Sequence, residues 1–221
     1  AAALSQASGT QVVATPMAIP APAEPIMRSD RQAELVFLGG LDYAGNFNAL
    51  REFDTRVRPR LAALGLDDVT LDVIGTAPPA QRAHFSPAIR FLGYVDALYT
   101  VLPGYRFMVV PQVTPGGIKT KIGVAARAGT VVLAHVTATE GMALTDGQDV
   151  LVWESAEDLA ALIKALRAHE IDASMIASNA QAWVETCFGE ARLQQLWRRN
   201  LDLCLRAASA TGRPRADQVT S

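Results

Sequence analysis

The sequence predicts an α/β fold, a doubly wound parallel sheet covered by helices on both faces. Three observations lead there. From Glu34 to Trp153, short apolar runs of strand length alternate with stretches of helical period. The first run, ELVFLG, is apolar at successive positions after Glu34, which suits a strand buried on both faces. Most of the runs stop at a glycine or a proline: Gly39, Gly75, Gly93 and Pro111. Parallel neighbours cannot be joined by a tight turn, so the segments between them read as crossovers.

Each element follows in order. Glu34–Gly39 (ELVFLG) is the first strand and runs into Gly39-Gly40. Asn46–Leu64 carries apolar residues at 47, 49, 50, 53, 57, 61 and 64, a helical spacing. Asn46 is its expected cap, and Pro59 is expected to kink or shorten it. Val69–Ile74 is the second strand, closed by Gly75, and Ala88–Leu92 the third, followed by Gly93-Tyr94. Asp96 is expected to cap a short helix through Leu102. Phe107–Val110 is the fourth strand, stopped by Pro111. Gly117–Ala128 is Ala-rich and helical, with Gly129 placed as a C′ residue. Thr130–Ala134 and Val150–Trp153 are the last two strands. Ser155, with Asp158 three residues on, opens a helix to about His169. Two further helices are expected near Ala173–Thr186 and Glu190–Arg206.

Composition narrows the function classes. The 221 residues and 23.6 kDa suit one domain with long flanks. A net charge of −2 and a pI near 5.9 argue against nonspecific nucleic-acid binding. With 50% apolar and 19% charged residues, a large core is expected and global disorder is excluded. Two cysteines, Cys187 and Cys204, exclude a disulfide scaffold and a four-cysteine zinc site; on predicted helices they read as buried apolar residues. His84, His135 and His169 lack metal-ligand spacing, so no metal is expected.

The ends read as flanks. Residues 1–23 carry no charge but are broken by polar residues and prolines, unlike a signal peptide or a membrane span. The start AAALSQ, without Met, reads as a cut. Pro16–Pro25 reads as a linker and Ala207–Ser221 as a frayed tail. The resulting expectation is a cytoplasmic chain with flank 1–33, domain 34–206 and tail 207–221.

Ligands of such sheets bind at the carboxyl ends of the strands, where strand order reverses. The loops at 39–46, 75–79, 93–96, 111–121 and 135–142 are therefore where function is expected. The most informative is Pro111–Ile122 (PQVTPGGIKTKI), between a buried strand and an Ala-rich helix. Gly116-Gly117 lets backbone approach a ligand. The N–H groups of Ile118, Lys119 and Thr120 are expected at the helix start, where the dipole adds positive potential. Lys119 and Lys121 add full charges, and together these features suit a diphosphate. The same residues also fit an ordinary glycine turn with two solvated lysines. Neither the G-x-x-x-x-G-K-[ST] phosphate loop nor G-x-G-x-x-G is present.

The ordered segments VFLGGLDYAGNFNAL, LDVIG, IRFLGYV, FMVVP, PGGIKTKIGVAARAG, TEGMALTDGQDVLV and FGEARL resemble the carboxyl-terminal half of GT-B-fold glycosyltransferases. The likeness is to the retaining, nucleotide-sugar-dependent group, over about Leu35 to Leu205. It implies a Rossmann-like donor domain for a nucleoside diphosphate sugar, with no other cofactor. It also implies a separate amino-terminal domain that holds a saccharide or lipid-linked acceptor; membrane contact is not indicated. On that likeness Gly116, Gly117, Lys119 and Lys121 match the loop at the diphosphate and sugar, with the backbone of Ile118 and Thr120 beside them. Lys119 and Lys121 would take the catalytic role of stabilising the leaving diphosphate. Gly40 matches the turn after the first strand, and Gly93, Tyr94 and Val95 the segment that pairs with the base. Glu140 and Gly141 match a loop facing the donor. Leu193, Leu196, Trp197 and Leu201 would pack against the absent domain.

Three positions depart from the pattern. Gly40 stands where many relatives have Arg. Ala44-Gly45-Asn46 lacks the lysine that joins that arginine. Val124 replaces the Glu that holds the donor ribose. Loss of a charged acceptor costs about 1.5–3 kcal/mol, so either Glu140 substitutes, the donor differs, or binding has decayed. A noncatalytic module that kept the fold is the alternative reading, and a doubly wound sugar epimerase a third.

Other polar residues have plainer roles open to them. Tyr43 and Asn46 suit a turn as well as a donor sugar. His84 and His169 suit surface positions, Asp96 a cap and Asp146-Gly147 a turn. Arg198, Arg199 and Arg206 suit a solvated face as well as anionic lipid. His135 stands directly after a strand, at the level where ligands bind.

Overall fold

A computed structural model describes residues 6, 15, 17–22, 33–114 and 117–210. They form a six-stranded, wholly parallel sheet in the order β3-β2-β1-β4-β5-β6. The strands are β1 (Ala33–Leu38), β2 (Leu71–Ile74), β3 (Ile89–Gly93), β4 (Tyr105–Val110), β5 (Val131–His135) and β6 (Leu151–Trp153). This is the doubly wound, Rossmann-like architecture that the sequence predicts. In the middle of the sheet Leu35 stands opposite Leu71 on one side and Phe107 on the other.

The continuous apolar runs are the physical cause. Leu35, Val36 and Phe37 of β1 are each 1% exposed or less, as only a strand covered on both faces is. Full burial of each such side chain contributes about 1.5–3 kcal/mol. Asp72 is the buried charged residue of the sheet among the described residues. Its carboxylate accepts from Arg90 Nε at 2.6 Å and from the Tyr105 hydroxyl at 2.9 Å.

The connections are α1 (Ala44–Glu52), α2 (Arg58–Ala63), α3 (Pro79–Arg82), α4 (Leu98–Val101), α5 (Thr120–Arg127) and α6 (Ala156–Arg167). A single π turn, Phe53–Val57, joins α1 to α2, with the Arg58 N–H donating to the Phe53 carbonyl. Pro59 follows directly; it has no N–H to return to the preceding turn, and its ring crowds that turn. The expected disturbance is thus a widened turn rather than an end. Ser155 and Asp158 form a complete capping box on α6. Among the described residues no helix is long and apolar enough to cross a membrane.

Several local expectations fail. Asn46 lies inside α1, whose N-cap is Tyr43, because the chain turns helical directly after that tyrosine. Asp96 caps nothing: α4 begins at Leu98 with Ala97 as its N-cap, which leaves Asp96 one residue too early. The helix expected from Gly117 begins at Thr120, since Gly117 has φ +70, outside the helical region. Cys204 is exposed and Cys187 half-buried, not core. α3 and the π turn had no expectation; α3 is a single turn with no buried residue.

The chain divides into two compact units, Ala21–Glu185 and Ala1–Pro20 with Thr186–Ser221. The sheet belongs to the first. α7 (Ala173–Phe188) ends in the second, and α8 (Glu190–Ala210) lies within it. In that smaller unit the Ile19 N–H donates to the Phe188 carbonyl at 3.3 Å, and Asn200 Nδ2 donates to Thr15 Oγ1 at 2.8 Å. Residues 16 and 23–25 of the expected linker and residues 211–221 of the expected tail lie outside the described residues.

Candidate functional site

Strand order reverses between β1 and β4, so the crevice of this sheet opens between the loops that follow them. The loop after β1 is laced to its neighbours through the backbone. Gly39 N–H donates to the Ile74 carbonyl at 2.8 Å, Leu41 N–H to Thr76 at 2.7 Å and Gly75 N–H to Gly93 at 2.8 Å. The approach requires glycine at 75, where a Cβ would stand 2.5 Å from the Gly39 carbonyl carbon at φ +143. Gly39, Gly40, Gly75, Thr76, Tyr94 and Val95 border a cavity of about 310 Å³. That size is at the lower end for ligand pockets. A larger cavity of about 530 Å³ lies beside Arg106 and Phe107. It sits at the start of β4, the wrong end of the strands for this topology.

Across the switch point, Lys121 in the first turn of α5 reaches back over β1. Its ammonium sits 4.3 Å from the centre of the Phe37 ring. It donates to Asn46 Oδ1 at 2.7 Å. The same oxygen accepts from Gln112 Nε2 at 3.2 Å, and Asn46 Nδ2 donates to the Gly40 carbonyl at 2.9 Å. No carboxylate pairs with Lys121 among the described residues. Burial, and then the Lys119 charge, lower the Lys121 ammonium to about 7. Near neutral pH it is close to its titration point, where a neighbouring negative charge favours the charged form.

Lys119 is the N-cap of α5, and its ammonium donates to the Gly117 carbonyl at 3.2 Å. Thr120 N–H is already used, donating to the Ile118 carbonyl at 3.1 Å, so it is not the free donor that the sequence suggests. Ile118 is 44% exposed. Gly116 lies outside the described residues. Gly40, Tyr94 and Val95 share the cavity, and Gly93 closes β3 beside it. Glu140 and Gly141 occupy an exposed turn beyond β5. Val124 is half-buried on α5.

Gly40, expected from the resemblance to stand where many relatives have Arg, is closely packed. A Cβ on Gly40 would meet Thr76 Oγ1 at 2.5 Å, and that hydroxyl bonds the Asp42 carboxylate. His135 proves to be a cap: its Nδ1 accepts from the Thr137 N–H at 3.3 Å, and burial lowers its pKa. Sequence reasoning missed Gln112, which is 6% exposed with Oε1 unpartnered among the described residues. A polar residue directly after FMVVP was the available signal.

A wholly parallel 3-2-1-4-5-6 sheet with glycine turns at its switch point is a doubly wound, Rossmann-like domain. The chain belongs to the family described as glycosyl transferases group 1, whose pattern matches residues 32–169. Among solved structures it is similar to HepE of Anabaena in complex with UDP, at 16% identity and TM-score 0.62, covering 77% of this chain and 49% of that one. Sucrose-phosphate synthase from Thermosynechococcus elongatus matches at 18% identity and TM-score 0.58, over 80% of this chain and 47% of that one. The pneumococcal O-GlcNAc transferase GtfA, in complex with UDP and GlcNAc, matches at 14% identity and TM-score 0.57, over 89% and 40%. The chain thus spans half or less of the length of these proteins. No curated protein matches it.

Proposed function

We propose that this chain is the carboxyl-terminal, donor-binding half of a GT-B glycosyltransferase. It holds a nucleoside diphosphate sugar, and a separate amino-terminal domain holds the saccharide or lipid-linked acceptor. In this reading residues 34–206 are the donor domain, 1–33 the lead-in and 207–221 a tail. The reading places this half in the cytoplasm. One observation carries the proposal: the Lys121 ammonium, without a carboxylate partner, stands at the switch point and is tied through Asn46 to the Gly40 turn of the cavity.

As the anomeric bond breaks, negative charge grows on the leaving diphosphate. Lys121, Lys119 and the start of α5 stabilise that charge without proton transfer to the sugar, and preorganised charge of this kind is usually the largest catalytic contribution. Tyr94 and Val95 line the side of the cavity where the base would lie. The test is a titration of the chain with UDP and with GDP, followed by amide NMR. Shifts are expected at 93–95, 117–121 and 40–46. Their absence with both nucleotides would remove the donor site.

A second reading has an observation of its own. Val124 offers no acceptor to a ribose, and Gly40 offers no cation to the diphosphate, as in a noncatalytic module with a decayed site. Val124→Glu separates the two. A gain of roughly tenfold or more in UDP affinity indicates decay. Unchanged affinity indicates that another group anchors the ribose.

A further inference from the structure

We propose that Asn46 is the positioning residue of this site, fixing the Lys121 ammonium where a diphosphate takes it; this rests on the donor-site reading above. A lysine is a point charge on a flexible stem, and leaving it free costs rotamer entropy when a ligand binds. Here the charge has two supports. The Phe37 ring lies beneath it, and Asn46 Oδ1 takes one of its protons at 2.7 Å.

The chemistry of the support matters. A carboxylate in place of Asn46 would hold the ammonium equally well but cancel its charge. A neutral amide holds the cation and leaves that charge for an anion. Among the described residues, the charged side chain that perturbs Lys121 is Lys119, the N-cap of α5, and it is repulsive. Nor is Asn46 free to turn. Its Oδ1 also accepts from Gln112 at 3.2 Å, and its Nδ2 donates to the Gly40 carbonyl at 2.9 Å. Exchanging oxygen and nitrogen would set the amide N–H groups against two donors, so the network admits one orientation. A single side chain therefore links the turn after β1, the residue after β4 and the first turn of α5.

A double-mutant cycle on the full chain, read by calorimetry with UDP, tests this. Asn46→Ala is expected to weaken UDP binding about tenfold, as loss of a hydrogen bond to a charged group does. In a Lys121→Met background the same substitution is expected to change affinity less than about twofold. Equal losses in both backgrounds would overturn the proposal, since Asn46 would then act on the ligand or on the fold directly. Amide spectra check that each variant folds. If the wild-type chain binds no UDP, the donor-site reading fails, and the Lys121 side-chain titration by ¹³C NMR decides the positioning role. A midpoint lowered by Asn46→Ala and raised by Asn46→Asp sustains it; a midpoint unmoved by Asn46→Ala overturns it.

Discussion

In the proposed donor site, burial makes the charge of Lys121 responsive to a bound anion. Its free ammonium titrates near 7 because burial and Lys119 oppose the charged form. A bound diphosphate favours that form and raises the value. Between the free and the bound values, binding takes up a proton, so affinity falls as pH rises. Below the free value Lys121 is already charged and contributes no slope. The limiting decline is about tenfold per pH unit. UDP affinity should be greatest between about 6, where a terminal phosphate takes up its own proton, and about 7. Calorimetry in buffers of differing protonation heat reads both the decline and the proton uptake. Lys121→Arg stays charged throughout and should flatten the alkaline limb. A flat wild-type profile, or an arginine variant that still declines, contradicts this account.

The elements show what local sequence encodes and what it leaves out. The run of β1 was legible because burial on both faces leaves a nearly unbroken apolar string, and the capping box of α6 was legible because its partners are three residues apart. The role of Asn46 was not, because it depends on partners 66 and 75 residues away in the chain. The same limit hid Asp54, a charged residue in the middle of a helical stretch. The π turn carries it to Ser86, whose N–H and Oγ donate at 2.8 and 2.6 Å, while Arg58 Nε donates at 2.9 Å. Burial alone would raise this carboxyl; the Ser86 hydroxyl and N–H and the Arg58 guanidinium together hold it below its ordinary range. Its stabilising contribution is complete above the unfolded value and is lost as pH falls through the lower folded value. Asp54→Ala should cost about 2 kcal/mol at neutral pH, a fall in melting temperature of roughly 4–8 °C. The deficit should shrink in strong acid, where the wild-type carboxyl is protonated as well. Melting curves with the same deficit at both pH values would assign Asp54 a packing role instead.

At the scale of the whole molecule, a single Rossmann-like domain supplies one side of the cleft in the proposed reading. HepE, sucrose-phosphate synthase and GtfA are at least twice as long as the part this chain matches, with 49%, 47% and 40% covered. In the proposed reading the crevice, formed by Lys121, the glycine turns and the cavity beside them, recognises and stabilises a leaving diphosphate. Glycosyl transfer needs in addition an acceptor hydroxyl held against the anomeric carbon, and such positioning is worth about 7–11 kcal/mol. In the proposed reading that hydroxyl is supplied by the separate domain. With UDP-glucose as the probe donor, this chain should bind and yet release UDP no faster than buffer does, with or without free sugars added. NMR of the donor over a day measures the release directly. Release at an enzymatic rate, about one per second, would mean that the cleft is already complete within these residues, and the two-half account of the molecule would have to be abandoned.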